Sequence, residues 1–183
     1  VWDAAGQTVQ PGVASSWEIS EDRRVYTFHL RQEARWSDGS PVVAQDFVKA
    51  WNRVLNPDTQ AGYATLLYPI EGARALHQGS TTDASTLGVE AEGNHTLVVQ
   101  LEAPVPYFLS LTADAVMLPV QSECLKRHGW TCTDPRNMVV NGPFRLLEAP
   151  QDRLVMPRNT PYWDAAPVAI ERGAALSETP DQG

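Results

Sequence analysis

The chain has 183 residues, 43% of them hydrophobic and 20% charged, a balance ordinary for a soluble globular protein with one real core or two small lobes. Its net charge of −8, with 14 scattered Lys and Arg, excludes nucleic acid as an electrostatic partner. No apolar run approaches the roughly 20 residues that a membrane-spanning helix needs, and no basic-then-apolar segment of secretory type opens the chain. Starting at Val1 without Met and passing straight into domain-like residues, it reads as a mature or excised piece, so a missing signal says nothing about compartment.

The first forty residues carry β signals. Ser16–Ile19 and Val25–Leu30 alternate apolar and polar side chains at period two, and Ser20-Glu21-Asp22-Arg23 between them supplies turn chemistry, so a hairpin is expected. Ser37-Asp38-Gly39-Ser40 then makes a tight turn, with Gly where positive φ is easiest. From Ala44 an amphipathic helix is expected: Phe47, Ala50, Trp51 and Val54 form one stripe, Gln45, Lys49, Asn52 and Arg53 face outward, and Asp46 sits in the first turn, where a carboxylate suits the helix dipole. Asn56-Pro57 stops it, since Asn tolerates a left-handed cap and the residue before Pro avoids the α region.

Weaker signals follow. Tyr63–Tyr68 and Gly72–His77 suit short helices separated by Pro69, and residues 79–86 form a polar loop. Val89–Ala91 and Thr96–Leu101 flank Glu92-Gly93-Asn94 as a second hairpin. Pro104 and Pro106 open a helix running through Leu111, and 116–120 is expected as a short buried run. Val139–Leu146 is expected as a strand pairing with Leu154–Met156 across the turn Ala149-Pro150-Gln151, Asn159–Trp163 runs from polar to aromatic, and the tail beyond Ala174 has a disordered composition. Strand pairs interspersed with helices, rather than alternating βαβ units, give an α+β class with mixed or antiparallel sheets and packed helices.

Catalytic chemistry has no signature. His29, His77, His95 and His128 form no ligand pattern, no serine has a nucleophile-elbow setting, and no pair of carboxylates stands out. No glycine loop is built to cradle a phosphate, and no cofactor is implied. Cys124 and Cys132, eight positions apart, are too few for a zinc site even with His128, and are not a Cys-x-x-Cys motif. They remain two free thiols or a disulfide; an oxidising compartment favours the bridge, worth about 2.6 kcal/mol by chain entropy. Trp17, Trp36, Trp51, Tyr107, Phe108 and Trp163 are expected in core and interlobe packing, whereas Tyr63, following Gln60-Ala61-Gly62, suits a ring presented from a loop edge.

Taken in order, GVASSWEIS, VYTFHLRQEARWSDGSPVVAQDFVKAWNRVLNPDT, TLVVQLEAPVPYFLSL, VVNGPFRL and NTPYWD resemble extracellular solute-binding protein family 5, from about Gly12 to Trp163, and within it the oligopeptide and murein-peptide binders. That resemblance implies a non-catalytic subunit of an ABC importer. Its partners would be a peptide ligand and, through the full-length protein, the importer's membrane subunits; its location would be periplasmic or at the cell surface, with lipid anchoring an open option. It also implies two jaws closing by hinge motion on a ligand between them, plus an extra smaller domain. Residues 1–35 would be strands of the first jaw, 36–138 the extra α+β domain, 139–173 return strands toward the first jaw and 174–183 a disordered tail. Tyr63 takes the place of an aromatic residue that approaches the bound peptide, and Asn141-Gly142 matches a turn close to the cleft, so Tyr63, Asn141 and Gly142 are the implied ligand-binding residues. Family chains are much longer, and the second jaw, which fixes a peptide's termini, is absent here. The relatives' shorter loop lacks the Cys124–Cys132 pair; a bridge there would favour a periplasmic or surface location. Relatives that bind nickel chelates, sugars or haem keep the ligand open, and a stand-alone interaction or sensor module on the same scaffold is the alternative of a different class.

Overall fold

The computed structural model describes residues 1–3, 5–147, 153–166 and 168–176. They divide into two compact units, one made of Val1–Gln32 and Val43–Val120, the other of Glu33–Val42 and the chain from Gln121 onward.

In the first unit the period-two segments form β1 (Ala14–Ile19) and β2 (Val25–Leu30), paired antiparallel with Trp17 opposite Phe28. The second hairpin forms β3 (Val89–Glu92) and β4 (Thr96–Gln100). β4 also pairs with β2, Phe28 opposite Leu97 and Tyr26 opposite Val99, giving one antiparallel sheet of order β1-β2-β4-β3. Tyr26, Phe28, Leu30, Leu97 and Val99 are buried, while the alternate residues Val25, Thr27 and His29 are only half-buried. β1 and β2 thus share one sheet with β3 and β4, within the same compact unit.

Helix α1 (Ala44–Leu55) spans the expected amphipathic run. Its Asp46 carboxylate accepts the Val43 N–H at 3.2 Å, closing the first turn, and the Ala44 N–H donates to Asn94 O at 2.8 Å, tying the helix start to the β3–β4 turn. Ala50, Trp51 and Leu55 are its buried apolar positions near the middle and end, whereas Phe47 and Val54 of the expected stripe are only half-buried. The buried Trp51 indole donates to Met117 O at 2.9 Å, so the largest side chain of the helix brings its own polar group into the core already paired. Asn56 does not take the expected left-handed cap. It is extended (φ −67, ψ 122), as a residue before proline prefers, and its side chain accepts the Asp58 N–H at 2.9 Å; the left-handed residue is Gln60.

The weaker helical segments are real but short: a single 3₁₀ turn at Ala64–Leu67, then α2 (Ala73–His77) and α3 (Phe108–Leu111). Phe108 is fully buried, 4.8 Å from the Tyr26 ring, but Tyr107 beside it is 61% exposed, against the expectation that it packs in the core. The 116–120 run is not uniformly buried either: Met117 is, and Leu118 is 53% exposed, because a 3₁₀ turn there points adjacent residues in different directions.

In the second unit the segment 34–42 doubles back on itself, with Val42 N–H donating to Ala34 O and Trp36 N–H to Ser40 O, and it buries Ala34, Trp36 and Val42. Helix α4 (Ser122–His128) leads into the loop closed by the disulfide Cys124–Cys132, both cysteines buried. The expected strand at 139–146 is largely absent. Only 144–147 lie along β5 (Arg153–Pro157), through Arg145 N–H to Pro157 O and Leu147 N–H to Val155 O. Pro143 has no N–H to give a ladder, and the regular partner of β5 is β6 (Arg172–Leu176) on its other edge. β6 thus occupies residues 174–176, expected as tail; the expected turn at 149–151 and the tail from 177 lie outside the described residues.

Two glycines test this packing. Gly72 has φ +74, and a Cβ there would meet Thr86 O at 2.2 Å; Gly39 has φ +86 with nothing within 4 Å. Gly72→Ala is expected to cost at least about 3 kcal/mol, from backbone strain plus collision, and Gly39→Ala about 1 kcal/mol from strain alone, read from urea unfolding. Equal losses would show that backbone strain, not the Thr86 contact, sets the cost.

Candidate functional site

Tyr63 belongs to the first unit, and Asn141 and Gly142 to the second, so each is described in its own surroundings. The Tyr63 carbonyl accepts the Leu66 N–H at 3.0 Å, and the turn that it begins is anchored by Ala64 and Leu67, both fully buried. A fixed base thus carries a ring that is 73% exposed, and among the described residues the phenol has no hydrogen-bond partner. Tyr107 is another exposed ring in this unit; its neighbour Phe108 carries the burial, and nothing in the sequence distinguished the two.

Around Asn141-Gly142 the chain is held on both sides. Upstream, the Ser37 N–H donates to Val140 O at 2.7 Å, and the Val140 N–H returns to Ser37 Oγ at 3.2 Å. Downstream, the Asn159 side-chain amide donates to Gly142 O at 2.8 Å, and the Asn159 N–H to Pro143 O at 2.8 Å. Between these ties, the N–H groups of Asn141 and Gly142 and the Asn141 carbonyl and side chain have no partner among the described residues. Both residues are half-buried. Such a stretch, with its neighbours committed and its own main chain unpaired, is chemically suited to hydrogen-bonding another main chain.

Ser37 is positioned by its own turn. Asp38 accepts from the Ser40 N–H at 2.9 Å, the Ser40 hydroxyl at 2.6 Å and the buried Gln121 amide at 2.6 Å, linking the turn to the start of α4. Partial burial pushes the Asp38 carboxyl up, but the hydrogen bonds from Ser40 and Gln121 outweigh it and hold the group below its ordinary value. Beyond the disulfide loop, the Arg136 guanidinium grips Asp134 through two bonds of 3.1 and 3.0 Å and lowers that carboxyl to about 2. Asn137 then ties this turn to the loop, its side chain donating to Thr131 O at 3.2 Å. Sequence reasoning singled out Tyr63, Asn141 and Gly142 but not Ser37, Gln121 or Asn159. Ser37 is 103 positions from Val140, and no local pattern reports such a partner. Among the described residues no group of three or more His, Cys, Asp or Glu is gathered to hold a metal, and no helix is long and apolar enough to cross a membrane.

Two outcomes are expected. Because the folded pKa of Asp38 is depressed, its contribution to stability is complete above the unfolded value and is lost as pH falls through the folded one. Asp38→Asn should therefore be less stable than wild type at neutral pH but lose less on acidification below about pH 4, read as thermal midpoints across pH; parallel acid limbs would refute the assignment. Replacing Cys124 and Cys132 together by Ser should lower the unfolding free energy by about 2–3 kcal/mol in urea without reductant.

The chain matches the family described as bacterial extracellular solute-binding proteins, family 5 Middle, over residues 8–174. It is 41% identical over 165 residues to the periplasmic oligopeptide-binding protein OppA of Escherichia coli, covering 88% of this chain and 30% of that protein. It is likewise 41% identical over 167 residues to the periplasmic murein peptide-binding protein MppA of the same organism, covering 90% of this chain and 30% of MppA. Among solved structures, Haemophilus influenzae OppA in complex with the peptide RPPGFSPFR superposes with a TM-score of 0.89 at 37% identity, over 92% of this chain and 33% of that one. The chain thus spans about a third or less of the length of the proteins that it matches. With identity of this order across nearly the whole of its own length and the same fold, it belongs to the bacterial extracellular solute-binding proteins of family 5.

Proposed function

We propose that this chain supplies part of the binding jaw and the extra domain of a peptide-capturing subunit of an ABC importer, acting in the periplasm or at the cell surface by binding alone, without catalysis. The observation that carries the reading is that the Asn141 main chain and the Gly142 N–H, between fixed neighbours, have no partner among the described residues. A peptide of variable sequence offers one constant feature, its backbone, and a protein that accepts many sequences must recognise that backbone. OppA and MppA, whose names state that they bind oligopeptides and murein peptide, support the same ligand class. Tyr63 adds an exposed ring on a rigid base, able to cover apolar ligand surface at low entropic cost. In this reading the unit built on the four-stranded sheet is the extra α+β domain, and the unit holding Asn141 and Gly142 belongs to the first jaw.

The test compares the 183-residue chain with a chain completed to the length of its relatives, by calorimetry against tripeptides to pentapeptides. The completed protein is expected to bind at about micromolar Kd. The chain alone should bind at about millimolar Kd or undetectably, since part of a cleft neither excludes water nor supplies the opposing hydrogen bonds. Micromolar tripeptide binding by the chain alone would overturn the division of labour; no peptide binding by the completed protein would overturn the ligand class.

A further inference from the structure

Asn159 is 1% exposed, and it grips two consecutive carbonyls of the candidate recognition segment, Gly142 O through its side chain and Pro143 O through its main chain. Its other side-chain atom, Oδ1, is sealed from solvent and has no hydrogen-bond partner among the described residues. An unsatisfied buried acceptor costs stability, so a residue chosen for packing alone would not be an amide here. The side chain therefore makes sense by its donor end, which is spent on Gly142. That bond, with the Ser37–Val140 pair upstream, commits the carbonyls on both sides of the Asn141-Gly142 junction and leaves the Asn141 main chain and the Gly142 N–H without a partner among the described residues.

We infer that Asn159 is a positioning residue for ligand recognition: its amide holds the Gly142 carbonyl in place so that the Asn141 main-chain groups and the Gly142 N–H stay available to a peptide backbone. Asn159 acts through Gly142 and touches no ligand itself. The inference rests on the peptide-binding reading of Asn141-Gly142 and adds to it the residue that sets the segment's geometry.

The test is Asn159→Asp in the completed protein, titrated with the peptide most enriched from a randomised three-to-five-residue mixture. At about pH 9 the carboxylate faces the Gly142 carbonyl oxygen, two acceptors opposed, and peptide affinity should fall about tenfold. Burial raises the carboxyl pKa, so on descending to about pH 5 it takes up a proton, donates its O–H to the same carbonyl and restores affinity to within about twofold of wild type at that pH. A side chain serving stability alone would shift the unfolding midpoint without giving this pH-dependent affinity, so a profile parallel to wild type overturns the inference. Should Asn159→Asp not fold, Asn159→Ser, whose hydroxyl is too short to reach Gly142 O, is expected to bind about tenfold more weakly; wild-type affinity in that variant also overturns it. Gly142→Pro, which removes the Gly142 N–H at a position where an added Cβ meets nothing within 4 Å, separates the two levels. If it weakens binding while the Asn159 variants do not, the positioning role fails alone. If wild type enriches no peptide, or Gly142→Pro binds as wild type does, the recognition reading fails and the positioning role with it.

Discussion

The antiparallel pairing of β2 with β4 is the constraint on which the first unit depends. Phe28 lies opposite Leu97 and Tyr26 opposite Val99, so residues about seventy positions apart must meet before either hairpin can bury its apolar face. Neither hairpin alone has enough surface for this, since an isolated two-stranded ribbon is marginal in water. Once joined, the four strands offer one continuous buried face, and α1 covers it with Ala50, Trp51 and Leu55. The Trp51–Met117 hydrogen bond then fixes the segment that follows α3, because an indole N–H inside that core must find an acceptor.

The same excursion between β2 and β4 builds part of the second unit. Glu33–Val42 leaves the first unit just after β2 and returns just before α1, and in between it forms the small hairpin closed by Ser37–Ser40. That hairpin is polar where it works: Asp38, Ser40 and Gln121 satisfy one another, and Ser37 uses both its main chain and its hydroxyl on Val140. Asn159 does the same from the other side of Asn141-Gly142. The segment around Asn141-Gly142 is therefore neither a strand nor a free loop. It is irregular backbone pinned at its flanks, so that its uncommitted main-chain groups, unpaired among the described residues, are nonetheless held in place.

Much of this was legible in the sequence. Period-two alternation located β1 and β2, the Glu92-Gly93-Asn94 turn located β3 and β4, the apolar stripe located α1, and Asp38-Gly39 marked a turn whose glycine does adopt φ +86. Signals failed where the deciding partner lies far along the chain. Val139–Leu146 has strand-like residues, but Pro143 and the tie from Asn159 keep its first part out of a ladder, and β6 takes the regular pairing with β5. Tyr107 and Phe108 look equivalent in sequence, yet Phe108 packs fully buried beside Tyr26 and Tyr107 stays exposed. Asn56 satisfied two local rules at once, and the proline after it decided which prevailed.

By itself, then, the sequence determined the local elements, the α+β class and the kinship with family 5, because periodicity, caps and turn chemistry act over a few residues and survive in the order of motifs. Only the tertiary structure decided that β1 and β2 join β3 and β4 in one sheet, that Ser37 meets Val140, and that Asn159 holds Gly142. Those are hydrogen bonds between groups that any residue of the right type could make. Which of them meet is set by where the buried faces force the chain to cross itself, and no local pattern encodes that.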